Sequence, residues 1–163
     1  MNRPLQNSRK NTSPVFLPAH EDIFGKHKTL GISNIDFKYR SNDSEGILII
    51  EITLRQKGGP AKHLHYFQDE WFYALEGDFI IEIGDQRFNV APGESILAPR
   101  KIPHVWAYVG KNNLGRLLVT FMPAGKMEAF FNFTARDNSM PPQDPELWKA
   151  YDMELVGPPL SVT

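Results

Sequence analysis

Cysteine is missing altogether from the 163 residues. That excludes disulfide staples, thiolate metal ligands and thiol catalysis, so any metal must sit on nitrogen and oxygen. Long apolar runs are missing too: the longest is the length of a strand, far below the ~20 residues that cross a bilayer. Neither sign of charge dominates, since 18 Lys and Arg face 19 Asp and Glu for a net charge of −1. Without a basic stripe there is no electrostatic footprint for nucleic acid or for a membrane surface, and neither is expected as a partner. There is no Gly-x-Ser-x-Gly elbow and no phosphate-cradling glycine loop before a helix. No internal repeat argues for a duplicated domain.

Residues 1–14 are polar, with Pro4 and Pro14 and no apolar stretch of the kind a secretory signal needs. They read as a flexible arm, and a cytoplasmic location is the expectation. Hydrophobic residues at 41% and charged residues at 23% are ordinary globular values, so residues 15–163 are read as a single domain.

What is present is a series of short β-type runs cut by turn residues. Strands are predicted over Leu30–Tyr39, Gly46–Gln56, Lys62–Phe67, Glu70–Leu75, Phe79–Ile83, Gln86–Val90, Ser95–Ala98, His104–Val109 and Arg116–Met122. Gly84-Asp85 between two of them reads as a two-residue hairpin turn. Such spacing predicts an antiparallel sandwich or barrel. After Pro123 the pattern turns helical, over Lys126–Thr134 and Glu146–Asp152, with Asp144 as N-cap and Pro145 at the first helical position. The tail Gly157-Pro158-Pro159-Leu160 reads as no regular element.

Three of the five histidines enter one geometric pattern. His63 and His65, two apart on a strand, share a face. Glu70 follows five residues on, after a bend that can restore it to that face, and His104 opens a later strand after Pro103. Converging inside a barrel, these four would suit Fe, Mn, Ni, Cu or Zn. Taken singly each has a plainer explanation, and His20 and His27 read as surface residues. Arg100 and Lys101 read as turn cations that could reach an anionic substrate at the barrel mouth.

The run His63-Leu-His65, four residues, Glu70, six residues, Gly77 resembles the first cupin motif. Gly93, five residues, Pro99-Arg100-Lys101-Ile102-Pro103-His104 resembles the second. The sequence departs from the family at Gly58, which lies one residue close to His63, at Lys101 where Gly is usual, and at Tyr108 where Asn is frequent. The wording of Asp69–Gly77, Ile102–Trp106 and Pro123–Phe131 is similar to small single-domain quercetin-dioxygenase-like cupins. The resemblance implies an all-β fold: one antiparallel cupin barrel of jelly-roll type, core about 45–123, with short C-terminal helices in a segment spanning 124–160. It further implies one divalent metal ion (Fe, Mn, Ni, Cu or Zn) on His63, His65, Glu70 and His104.

Alternation then turns Phe72, Trp106 and Tyr108 toward the lumen as a substrate pocket, with Glu70 as a catalytic group. The function expected is a metal-dependent enzyme, such as a dioxygenase, acting on a small aromatic or enolisable substrate. An isomerase or lyase working without dioxygen, and a non-catalytic small-molecule binder, stand beside it. A homodimer is expected, because open sheet edges need cover and Leu30–Tyr39 could pair across a two-fold axis.

Overall fold

The computed structural model describes residues 13–163; the expected arm over 1–14 lies outside them as far as residue 12. The described elements run in the order β1 (Lys28–Leu30), β2 (Ser33–Arg40), β3 (Leu48–Leu54), β4 (Ala61–His65), β5 (Asp69–Glu76), β6 (Phe79–Ile83), β7 (Gln86–Val90), β8 (Ser95–Ala98), β9 (His104–Tyr108), β10 (Gly115–Met122), α1 (Met127–Thr134), α2 (Pro145–Ala150) and β11 (Met153–Pro159). They form two antiparallel sheets, one ordered β1-β2-β3-β10-β5-β8 and the other β11-β4-β9-β6-β7. This is the jelly-roll arrangement, and alternate residues of the inner faces make the core. Phe37, Ile50, Leu54, Phe72, Phe79, Ile81 and Leu117 are fully buried there.

Local chemistry explains most boundaries. β6 and β7 meet at the pair Ile83↔Gln86. Gly84 between them takes φ +61°, as a Gly-first type II′ turn requires. Asp144 caps α2 by accepting the Glu146 N–H, with Pro145 in the first turn.

Two expectations are corrected. Leu30–Tyr39 is not one strand, because Gly31 adopts φ +57° and turns the chain back on itself, pairing Leu30 with Ser33. An isolated glycine in an apolar run marks a break as readily as a bulge. β2 consequently has β3 along one side and, over Ser33–Ile35, β1 along the other. The tail 157–160 is also not irregular: through Pro159 it belongs to β11, which pairs with β4 across two register shifts. Proline is tolerated because β11 is an edge strand, and its bulges absorb the missing donors.

The segment before β1 is fastened by a buried carboxylate. Asp22 Oδ1 accepts the Phe24 N–H at 2.7 Å and Oδ2 accepts the Phe37 N–H at 2.7 Å. Asp22→Ala strands both donors, one of them on a core strand, and should destabilise by about 1–3 kcal/mol. A denaturant titration reads this as a lower midpoint at unchanged slope; an unaltered midpoint would show that water replaces both bonds.

Candidate metal centre and cavity

β4 and β9 bring three imidazoles into one sheet, and β5 in the opposite sheet brings the carboxylate. β4 is buried at every second residue, Ala61, His63 and His65, which aims both rings between the sheets. His63 lies directly opposite His104, in the single register pair that joins β4 to β9. That seam is pinned at both ends. Gly58 and Tyr108 exchange N–H···O bonds of 3.1 and 2.9 Å on one side, and Lys101 N–H donates to His65 O at 2.7 Å on the other.

Lys101, which stands where the motif usually has glycine, adopts φ +66°, so the chain keeps the left-handed turn without the residue that favours it. Arg100 is committed to Asp69 at the start of β5, with Nε and Nη2 at 3.1 and 3.0 Å from its two oxygens. The side-chain and backbone hydrogen bonds of Arg100 hold the Asp69 carboxyl below its ordinary range. The loop before His104 is thereby tied to the strand carrying Glu70.

Glu70, His63, His65 and His104 are all buried, with one potential ligand atom from each lying within 4.8 Å of the others. Bonds of about 2.1 Å would place ligand atoms no more than about 4.2 Å apart, so small shifts suffice to close around an ion. His63 Nδ1 lies 2.8 Å from Ala61 O and His104 Nδ1 lies 3.3 Å from Ile102 O. Donation by Nδ1–H to a backbone carbonyl leaves Nε2 with its lone pair, the tautomer a metal needs.

His104 Nε2 then faces Glu70 Oε2 at 2.8 Å, two acceptors that only a proton or a cation between them can reconcile. His65 Nε2 comes within 3.1 Å of the same oxygen, yet neither His65 ring nitrogen has hydrogen-bond geometry to any partner. A buried nitrogen aimed at a shared point, and not at one acceptor, fits a divalent metal ion on nitrogen and oxygen donors.

Electrostatics agree. Burial, then the neighbouring charges of His104 and His65, push the His63 imidazole down to about 3. Burial alone would raise Glu70, but the charge and hydrogen bond of His104, and then the close approach of His65, overcome it and hold the carboxyl below its ordinary range. Each imidazole is also backed by an aromatic ring: His63 by Trp148 at 4.9 Å, His65 by Phe121 at 5.7 Å and His104 by Phe72 at 6.0 Å between centroids.

A cavity ends on the cluster. His63, His65 and Glu70 line it together with Trp106, Phe121 and Trp148. It is a narrow slot whose empty space, open mouth included, is ≈ 590 Å³. Of the three aromatics expected to line a pocket, Trp106 does so. Phe72 is fully buried beside His104. The Tyr108 hydroxyl accepts the Leu114 N–H at 3.1 Å, and its ring fills space left by Gly77, Gly110 and Gly115, where a Cβ would come within 2.6 Å of it. Neither Phe72 nor Tyr108 is among the cavity walls. Ser33, Met140 and Trp148 are walls that sequence reasoning missed. They come from the first hairpin and the C-terminal segment, and no motif marks them.

Two outcomes follow. Elemental analysis of protein purified without a metal-affinity column should find close to one divalent ion per chain, and none in His63→Ala. An equal content in both would dismiss the cluster as the binding site. In the metal-free protein, the unfolded chain takes up a proton below about 6.5 that folded His63 refuses down to about 3. Stability from this group is therefore complete above pH 6.5 and drains as pH falls toward 3. Between pH 6.5 and 4.5, above the ordinary range in which Glu70 adds its own dependence, the melting temperature should fall with pH, and His63→Phe should flatten that slope.

Residues 50–121 match the cupin domain family. An uncharacterized protein of Methanocaldococcus jannaschii is 33% identical over 61 residues, 37% of this chain and 49% of that protein, so the chain spans about half the length of the curated relative it matches. KdgF from Halomonas sp. superposes with TM-score 0.53 at 15% identity, over 60% of this chain and 87% of that one. Pac13 of Streptomyces, described as a nucleoside dehydratase, superposes with TM-score 0.53 at 8% identity, over 82% and 85%. At such identities the likeness is one of fold alone. The stretch that matches the cupin domain holds all four cluster residues.

Proposed function

We propose that the protein is a metal-dependent enzyme, a dioxygenase of the quercetin-dioxygenase-like kind, acting on a small aromatic or enolisable molecule. One observation carries the reading: a narrow, mainly apolar cavity has His63, His65 and Glu70 among its walls. A closed structural site would have no reason to open onto such a slot. Held there, a divalent ion would supply Lewis-acid polarisation of a substrate oxygen, with redox chemistry as well if it were iron, manganese or copper.

The side chains define the rest. Among the described residues no lysine, arginine or aspartate lines the cavity, so a substrate charged along its body would lie there without a counter-ion from them. Aromatic walls from Trp106, Phe121 and Trp148 suit a flat ring and keep water away from the cluster. Glu70, held ionised by its two imidazole neighbours, accepts a proton and does not supply one. As a weak base it would serve only C–H or O–H groups whose acidity a metal ion on the substrate oxygen had raised, as in a coordinated phenol or enolisable ketone.

The test is oxygen uptake by protein loaded anaerobically with Fe(II), Mn(II) or Ni(II), offered flavonols and small diketones. Uptake matched to substrate loss is expected, with Glu70→Gln slower by about 10²-fold or more. Product formed equally under nitrogen would replace this reading with an isomerase or lyase. Saturable binding without turnover in either gas would leave a binding protein.

A further inference from the structure

The outer end of the cavity carries one hydroxyl, and its chemistry specifies the tail of the ligand. Ser33 is buried and, among the described residues, is the one hydroxyl-bearing side chain of the cavity walls. Around it the walls are aliphatic or thioether, including Leu30, Ile35, Ile52, Leu54 and Met140. The indole N–H of Trp148 is already committed to Pro142 O at 2.7 Å. Ser33 Oγ donates its proton to Leu30 O at 2.9 Å. With its proton spent, the oxygen keeps lone pairs and can only accept.

Its position is remote from the cluster. Ser33 pairs with Leu54 on β3, whereas Glu70 shares a row with Phe121, which pairs with Leu48 at the opposite end of β3. At ~3.3 Å per residue, the six steps from Leu48 to Leu54 amount to about 20 Å along the strand before sheet curvature shortens the path. The half-buried residues Ile32, Pro60, Met140 and Pro141 also line the cavity and place its mouth near Ser33. The cluster lies at the buried end.

We propose that Ser33 is a specificity-determining residue at the cavity mouth, selecting an uncharged substrate whose aromatic or enolisable head lies at the cluster and whose extended tail carries a hydrogen-bond donor such as an alcohol or amide N–H. This rests on the reading of the cavity as the substrate site, with the metal-binding oxygen of the same molecule at the cluster. A methyl-terminated tail leaves the Ser33 lone pairs dry and unmatched, which a site built around a hydrogen bond discriminates against. Fastening the β1–β2 turn uses the proton of Ser33 and leaves its oxygen, on a residue of the cavity wall, able to accept. A purely structural role would also weaken every ligand alike.

The experiment is calorimetric titration of the zinc-loaded protein with straight-chain hydroxamic acids of graded length, each ending in methyl or in hydroxyl. At the best-fitting length the hydroxyl-ended chain should bind about fivefold tighter than its methyl partner. Ser33→Ala, checked for an intact melting transition, should erase that preference while still binding the methyl-ended chain. No preference in the wild-type protein at any length, or a preference that survives Ser33→Ala, overturns the proposal and leaves the metal-linked cavity standing. If neither series binds the zinc-loaded protein, the cavity is not the ligand site, and the proposal falls with the reading beneath it.

Discussion

The register pair His63↔His104 is the constraint on which the site depends. It is the single step at which β4 meets β9, in contrast to the five successive pairs between β6 and β9. A slip of one residue would rotate a histidine out of the interior, because successive strand residues point to opposite faces. The seam is therefore held from outside itself. The Gly58–Tyr108 exchange fixes one end, and the Lys101–His65 bond fixes the other. The aromatic filling around Tyr108 and the left-handed turn at Lys101 serve the metal centre although neither touches it.

A carboxylate and three imidazoles in an apolar interior are expensive unless they satisfy one another. Here two carbonyls, Ala61 O and Ile102 O, occupy the outer ring nitrogens of His63 and His104, and aromatic rings pack against each imidazole. His65 Nε2 and His104 Nε2 both converge on Glu70 Oε2. The same arrangement would hold a cation well, so folding and ligand capture draw on one set of contacts.

The fold and the site differed in how far they could be read. Gly84-Asp85, Pro145 and Asp144 act through local backbone chemistry, and the structure places their turn and cap where that chemistry predicts. The break at Gly31 and the strand at Met153–Pro159 escaped, because both are decided by partners distant in sequence. Gly31 is pressed against Met140, where a Cβ would lie 2.6 Å from its Cγ, and β11 exists only because β4 offers an edge. The cavity walls escaped for the same reason. Alternation shows which side of a strand a residue occupies, not which other segment closes over it, so Phe72 and Tyr108 were read as lining when they are core.

The sequence by itself determined the chemistry of the centre. Cysteine is absent, strand periodicity puts His63 and His65 on one face, and the spacing of His63, His65, Glu70 and His104 resembles the cupin motifs, so nitrogen and oxygen donors were legible from local sequence. Tertiary structure alone decided what the centre faces. Trp148, Met140 and Ser33 come from the two ends of the described chain, and only the packing of the first hairpin and the C-terminal helices against the sheets makes them walls of one cavity. That closure is set by long-range burial of apolar surface, which no short stretch of sequence encodes.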